Sequence, residues 1–207
     1  MKHLWQLSFF LMVALLLVKC GETEEQPPEV DPVDDVDIHQ SFLNNLVSLC
    51  DVELTGEATY PDPEDAEDHD LVGTGLRVHI SSCEEDEVKI DLYRDDGETW
   101  HGTWVVSMRD EGLHLYHDHL GDERDEEDLG EDDAHGYGGY ASDEGDAYRQ
   151  YFPADEVTAE MLPEAETNEW MMQVDLEAQK FIYYLERHEE PRFRAEMDMS
   201  DVLSMAH

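Results

Sequence analysis

The feature that most constrains this chain is a change of hydrophobic period near residue 50. Before it, Ile38, Phe42, Leu46 and Leu49 recur at helical spacing, with Asp37 placed to cap the first turn. After it the period is two. Leu76, Val78 and Ile80 alternate with Arg77 and His79, and Val88, Ile90 and Leu92 with Lys89, Asp91 and Tyr93. Leu113 and Leu115 alternate with His114 and Tyr116. The same alternation runs through Trp170, Met172, Val174 and Leu176, through Phe181, Tyr183 and Leu185, and through Phe193, Ala195, Met197 and Met199. Period two with one apolar face is the mark of half-buried antiparallel strands.

Turn residues separate the runs: Glu84-Glu85-Asp86, Asp95-Asp96-Gly97, Asp110-Glu111-Gly112, Glu177-Ala178 and Glu189-Glu190-Pro191. Short connections favour hairpin neighbours and hence an up-and-down meander. One helical interruption is expected over residues 153–164, where Val157 and Met161 sit four apart. The predicted fold is mainly β: an antiparallel up-and-down barrel or half-barrel, similar in layout to a lipocalin or other calycin, with a short N-terminal helix. Closure removes sheet edges, which otherwise invite aggregation. An open antiparallel sheet or a β-sandwich is the alternative.

The first residues read as an export signal. Lys2 precedes the unbroken apolar run from Phe9 to Val18, too short for a bilayer span of about 20 residues and right for a signal-peptide core. Leu17-Val18-Lys19-Cys20-Gly21 resembles a bacterial lipoprotein signal, in which the cysteine is acylated after cleavage. Lys19 departs from the small residue usual in that slot, and plain secretion with cleavage nearby is the alternative. One acyl chain binds a membrane only marginally, so stable tethering implies several on Cys20. Residues 21–37 combine three prolines with many acids and form an extended, self-repelling tether. The expected organisation is a signal peptide over 1–19, an acidic tether over 20–37 and one β-rich domain over 38–207. The expected location is the bacterial cell envelope, lipid-anchored in the outer membrane and facing the periplasm or the surface; Glu24 and Glu25 resemble acidic signals that direct some lipoproteins outward. Cys50 and Cys83 remain as a pair. An oxidising compartment permits a disulfide between them, two buried free thiols being the alternative, and their spacing is not that of a metal site.

Charge excludes some partners. Against 54 Asp and Glu stand 12 Lys and Arg, a formal net charge of −42. Such a surface does not neutralise phosphates, so nucleic acid is excluded as a partner. Four lysines, Lys2, Lys19, Lys89 and Lys180, serve the whole chain. A lysine-poor acidic surface keeps a protein soluble where salt shortens the Debye length to about 3 Å at 1 M, which suggests a halophilic source. Calcium binding by the run from Asp122 to Asp133 is the rival, but that run lacks the spacing of an EF-hand loop.

The richest stretch chemically is Gly112 to His119. On a strand, Leu113, Leu115, His117 and His119 share one face. The two histidine Cα atoms would lie about 6.6 Å apart, close enough for both rings to meet one zinc ion. His135 is the candidate third ligand, so His117, His119 and His135 form a candidate site for a divalent metal such as zinc, calcium being the candidate for the acidic run alone. Ordinary hydrogen bonding at a strand end is the bland alternative. GLHLYHDH, an acidic loop, HGYGGYASDEG, YRQYFPADEVT and FIYYLERHEEPRFRAEMDMS, in that order, resemble a group of uncharacterised bacterial secreted or lipid-anchored proteins over Phe42 to Met199, with a cysteine near each of Cys50 and Cys83. The resemblance implies an exported domain and assigns no catalytic residue.

Three functions stay open. One is a non-enzymatic domain that holds a small ligand among Trp104, Trp170, Phe181 and Phe193. The second is a metal-binding protein or metal-dependent hydrolase built on His117 and His119, which would need a further ligand and a base. The third is a structural or interaction protein of the envelope. No serine-hydrolase elbow, P-loop or dinucleotide fingerprint occurs, and no cofactor is assigned. Salt adaptation predicts that the melting temperature climbs with molar KCl and ignores micromolar CaCl2 in thermal denaturation; a large shift at micromolar calcium would reverse that reading.

Overall fold

The computed structural model describes residues 37–66, 69–119 and 136–205. Cys20, the acidic run over 122–133 and His135 lie outside the described residues. Helix α1 (Ile38–Val47) starts where the apolar spacing places it. The Asp37 carboxylate accepts from the backbone N–H of His39 at 3.0 Å and of Gln40 at 3.1 Å, satisfying donors that a helix start leaves open. Phe42, Leu43 and Leu46 are fully buried.

Ten strands follow: β1 (Glu53–Tyr60), β2 (Gly75–Cys83), β3 (Glu87–Arg94), β4 (Thr99–Arg109), β5 (Gly112–Asp118), β6 (Gly136–Tyr140), β7 (Arg149–Pro153), β8 (Asn168–Asp175), β9 (Lys180–Arg187) and β10 (Glu190–Asp198). Helix α2 (Glu156–Met161) lies between β7 and β8, and α3 (Ser200–Met205) follows β10. The sheet order is β6-β5-β4-β3-β2-β1-β10-β9-β8-β7, antiparallel at every step. Because β1 pairs with both β2 and β10, the two ends of the meander are joined, and the remaining gap falls in mid-chain between β6 and β7. The result is an up-and-down, nearly closed barrel.

That seam is stitched by single contacts instead of a ladder. Asp155 N–H donates to the Gly138 carbonyl at 3.1 Å and Ser142 N–H to the Tyr151 carbonyl at 2.8 Å. The Thr158 hydroxyl accepts from Gly138 N–H and donates to Gly138 O, both at 2.8 Å. Asp155 also caps α2 through Thr158 N–H at 2.7 Å and meets His114 Nε2 at 3.1 Å. Burial alone would raise the Asp155 carboxyl, yet the Thr158 N–H and the His114 ring hold it below its ordinary value. The backbones approach so closely that a Cβ on residue 139 would sit 1.8 Å from the Pro153 carbonyl oxygen, so the strand needs Gly139.

α1 plugs one end. It packs against β3, β4, β5 and β7, and Asn45 Nδ2 donates to the Ala147 carbonyl at 2.7 Å. The Cys50–Cys83 disulfide ties the segment after α1 to the last residue of β2. In the chain-entropy picture, closing a loop of this length stabilises by about 3.7 kcal/mol. Between plug and open end the interior is filled by Val106, Leu115, Phe152, Met172 and Phe181, all buried.

Two details differ from the sequence pattern. β8 ends at Asp175, and Leu176 lies half-exposed in the turn after it, so the alternation runs one apolar residue past its strand. In α2, Val157 and Met161 point to solvent while Thr158 is buried: the helix is held to the barrel by hydrogen bonds to Gly138, not by an apolar stripe. Gly139→Ala is expected to destabilise the fold by at least about 1–3 kcal/mol in urea denaturation, because backbone lies where its methyl must go.

Candidate functional site

At the end opposite α1, the barrel holds a cavity of about 250 Å³. It is built from the late residues of β3 and β5, the early residues of β4, β6 and β10, Tyr183 and Leu185 of β9, and the β1–β2 loop. Four imidazoles reach it: His69, His101, His117 and His119. Trp104, Tyr137, Tyr183 and Phe193 supply aromatic wall. Its volume lies just under the ~300–1,000 Å³ usual for small-molecule sites.

Strand alternation accounts for much of this. Leu113, Leu115 and His117 follow one another on the inner face of β5, all buried. His117 is enclosed by rings: Tyr137 stacks on it at 4.8 Å between centroids, Trp170 is tilted at 5.2 Å and Trp104 stands edge-on at 6.5 Å. Its Nε2 lies 3.4 Å from the Tyr183 hydroxyl. Burial pushes the His117 ring well below its ordinary proton affinity, and the nearby His119 and His101 push the same way. Burial drives the Tyr183 phenol well above its ordinary value, with Tyr137 adding to it. The pair is therefore a neutral imidazole beside a protonated phenol.

His119 stands just past β5, its Nε2 3.1 Å from the Tyr137 hydroxyl. Gly102 leaves it room: a Cβ there would lie 3.1 Å from His119 Nδ1. His101 meets His119 edge-on at 5.8 Å. His69 stacks on Phe193 at 5.2 Å, with the rings 5° from parallel, and so lays the β1–β2 loop over the mouth.

The structure thus brings His117 and His119 into one cavity, as their spacing predicts, with ring centroids 6.4 Å apart. Among the described residues, no group of three or more His, Cys, Asp or Glu side chains is placed to hold a metal ion, and His135 falls outside them. Trp104 and Phe193 line the cavity, whereas Trp170 and Phe181 are core beneath it. His69, His101 and Tyr183 were not singled out as site residues by sequence. Tyr183 was legible as an inward residue of β9. His101 was not: Leu92 pairs with Gly102 and Tyr93 with Trp100, so His101 is the extra residue of a bulge, and a bulge re-aims a side chain against the alternation. A larger depression of about 930 Å³ beside β1 is open to solvent and lined by Gly56, Gly73, Gly75 and scattered acids; it gathers no comparable set of buried polar groups.

The depressed histidines give a signed pH dependence. Unfolded, His117 titrates near 6.5; folded, it stays neutral far lower. Below pH 6.5 the unfolded chain takes up a proton that the folded chain refuses, so stability falls with pH down to the depressed folded value. His101 and His114 are also lowered, chiefly by burial, and act in the same sense. Each histidine contributes a slope of up to about 1.4 kcal/mol per pH unit. His117→Gln is expected to flatten the slope by one such share between pH 6.5 and 5.5 in urea denaturation at stepped pH.

Comparison with known proteins supplies no relative: no family model matches the chain, and no curated protein or solved structure matches it. The functional reading therefore comes from the cavity.

Proposed function

We propose that this chain is an exported, lipid-anchored envelope protein of the uncharacterised group its motifs resemble, and that its barrel is a non-enzymatic binding domain for one small ligand in the histidine-lined cavity. The observation that carries the reading is the convergence of two buried polar groups, His117 and Tyr183, on a cavity at the unplugged end. A buried polar group needs a hydrogen-bond partner, and these two meet only at 3.4 Å, at the long end of useful geometry. A ligand polar atom between them would complete both. The surrounding rings supply flat apolar wall, the usual composition of a small-molecule site.

Chemistry argues for binding over catalysis. Among the described residues, the influences on His117 are burial and the rings of His119 and His101, with no carboxylate to orient or charge it. An imidazole lowered by burial is neutral at neutral pH, a weakened base that offers an N–H to a ligand acceptor and no imidazolium. Native mass spectrometry of the full protein purified from membranes reads both halves of the proposal: acyl mass on Cys20, and one small molecule bound to the barrel. Tyr183→Phe and His117→Leu should lower ligand occupancy at least tenfold with the fold retained. A wild-type protein that carries no ligand and quenches no tryptophan fluorescence across a fragment library would overturn it.

A further inference from the structure

We infer that the ligand of this cavity carries a carboxylate or similar oxyanion, held at the mouth by Arg94 and His101, with its apolar body against Leu92, Trp104 and Phe193. This rests on the small-ligand reading and adds the chemical class.

The observation behind it is a missing partner. Arg77, Arg109, Arg149, Arg187 and Arg194 each direct Nε–H to an acceptor: Gly97 O at 3.3 Å, Ser107 Oγ at 3.2 Å, Gln173 Oε1 at 3.1 Å, Asn168 Oδ1 at 2.7 Å and Glu196 Oε1 at 2.8 Å. Arg94 Nε is buried and has none. Its other arm makes a single loose approach, Nη1 to Asp70 Oδ2 at 3.5 Å, and the Asp70 side chain is 63% exposed. The Arg94 side chain keeps 31% of its surface exposed, so its tip reaches solvent while its Nε–H does not. A buried donor without an acceptor is costly to leave so, and a guanidinium fork matches a carboxylate in two parallel hydrogen bonds.

Position points the same way. Arg94 follows Leu92 by two residues on β3, so both leave the same face, and Leu92 lines the cavity. Tyr93 between them faces outward, where Arg77 lies over its ring at 3.9 Å. Arg94 is also close enough to His101, a cavity residue, for its charge to act on that ring. Among the described residues, the ionisable groups at this end include His69 and Asp70 from the β1–β2 loop, Arg94 from β3, His101 from β4, His117 and Asp118 from β5 with His119 just past it, Tyr137 from β6, and Tyr183 and Arg187 from β9. Asp70 and Asp118 oppose an anion. Asp70 is on an exposed loop and occupies, at long range, the place the ligand carboxylate would take.

Two signatures separate an oxyanion from a neutral ligand. An anion beside His101 favours the charged ring, so binding takes up a proton and tightens as pH falls from 8 to 6. A net charge of −42 repels an anion at long range, and raising salt from 0.15 M to 1 M shortens the screening length from about 8 to about 3 Å. Anion affinity therefore rises with KCl beyond any rise for a neutral isostere.

The test is calorimetry on the full chain with benzoate and hexanoate, each paired with its neutral amide. At least one acid is expected to bind about tenfold tighter than its amide. Arg94→Gln should remove that preference, weakening the acids about tenfold more than the amides with no fall in melting temperature, while Arg94→Lys keeps part of it. Equal binding of acids and amides, indifferent to Arg94→Gln and to salt, would overturn the oxyanion and leave the cavity reading standing. Failure of all four probes would count against both.

Discussion

The pairing of β1 with β10 is the contact on which the rest depends. It joins the two ends of the meander, with Gly56 opposite Met197 and Ala58 opposite Ala195. His101 and His117 come from β4 and β5, whereas Tyr183 and Phe193 come from β9 and β10. In an open sheet these sets would lie far apart, because four to six strand spacings of about 4.8 Å separate them. Curling the sheet brings Tyr183 to 3.4 Å from His117. Closure at the termini also sets where the gap must fall, and the Gly138–Thr158 and His114–Asp155 contacts are the means by which mid-chain residues fill it.

The barrel keeps two electrostatic regimes apart. Along the whole sequence acids outnumber Lys and Arg by more than four to one, and the described acids lie mainly on the exposed face. Inside, among the described residues, the buried polar groups are neutral ones such as Gln150, Thr158, Asn168 and His117. His117 meets no carboxylate among the described residues, so it gives up its charge instead of bearing the desolvation cost, whereas His114, at the seam, faces the Asp155 carboxylate at 3.1 Å. Rings then do the packing: Tyr137 and Trp170 flank His117, while Trp104 and Tyr183 stack on each other at 4.3 Å. The same low polarity strengthens any hydrogen bond that a ligand makes there.

Most of the fold was legible because most strands obey one rule. Where the inner face carries Leu, Ile, Val or aromatic residues, as in β2, β3, β9 and β10, period two shows plainly. β1 was invisible for a physical reason. Its inward positions after Leu54 are Gly56 and Ala58, small because β10 passes so close that a Cβ at 56 would lie 2.0 Å from the Glu196 carbonyl oxygen. β6 reads as a loop for the same cause, since Gly138 and Gly139 are where backbones touch. The site was half legible. His117 and His119 follow from alternation, but His101 arrives through a bulge and His69 through a loop folded over Phe193, and neither leaves a periodic trace.

An acidic excess this large changes which residues carry information. With 54 carboxylates present, proximity of two acids means little, and so does an arginine that finds one. The converse is informative. A guanidinium on this protein is surrounded by acceptors, so a buried Nε–H that lacks one has been kept from them by its position. Arg94 continues the row of β3 that carries Leu92 and stands beyond it, near the His101 ring and 3.5 Å from Asp70. Among the described residues the one carboxylate it meets is Asp70, whose side chain is 63% exposed, and its Nε–H has no acceptor. In a chain of this composition an arginine's unmet donor carries more information than one more pair of acids, and Arg94 differs from His114 Nδ1 and Gln150 Oε1, also unmet, in standing beside the cavity's His101.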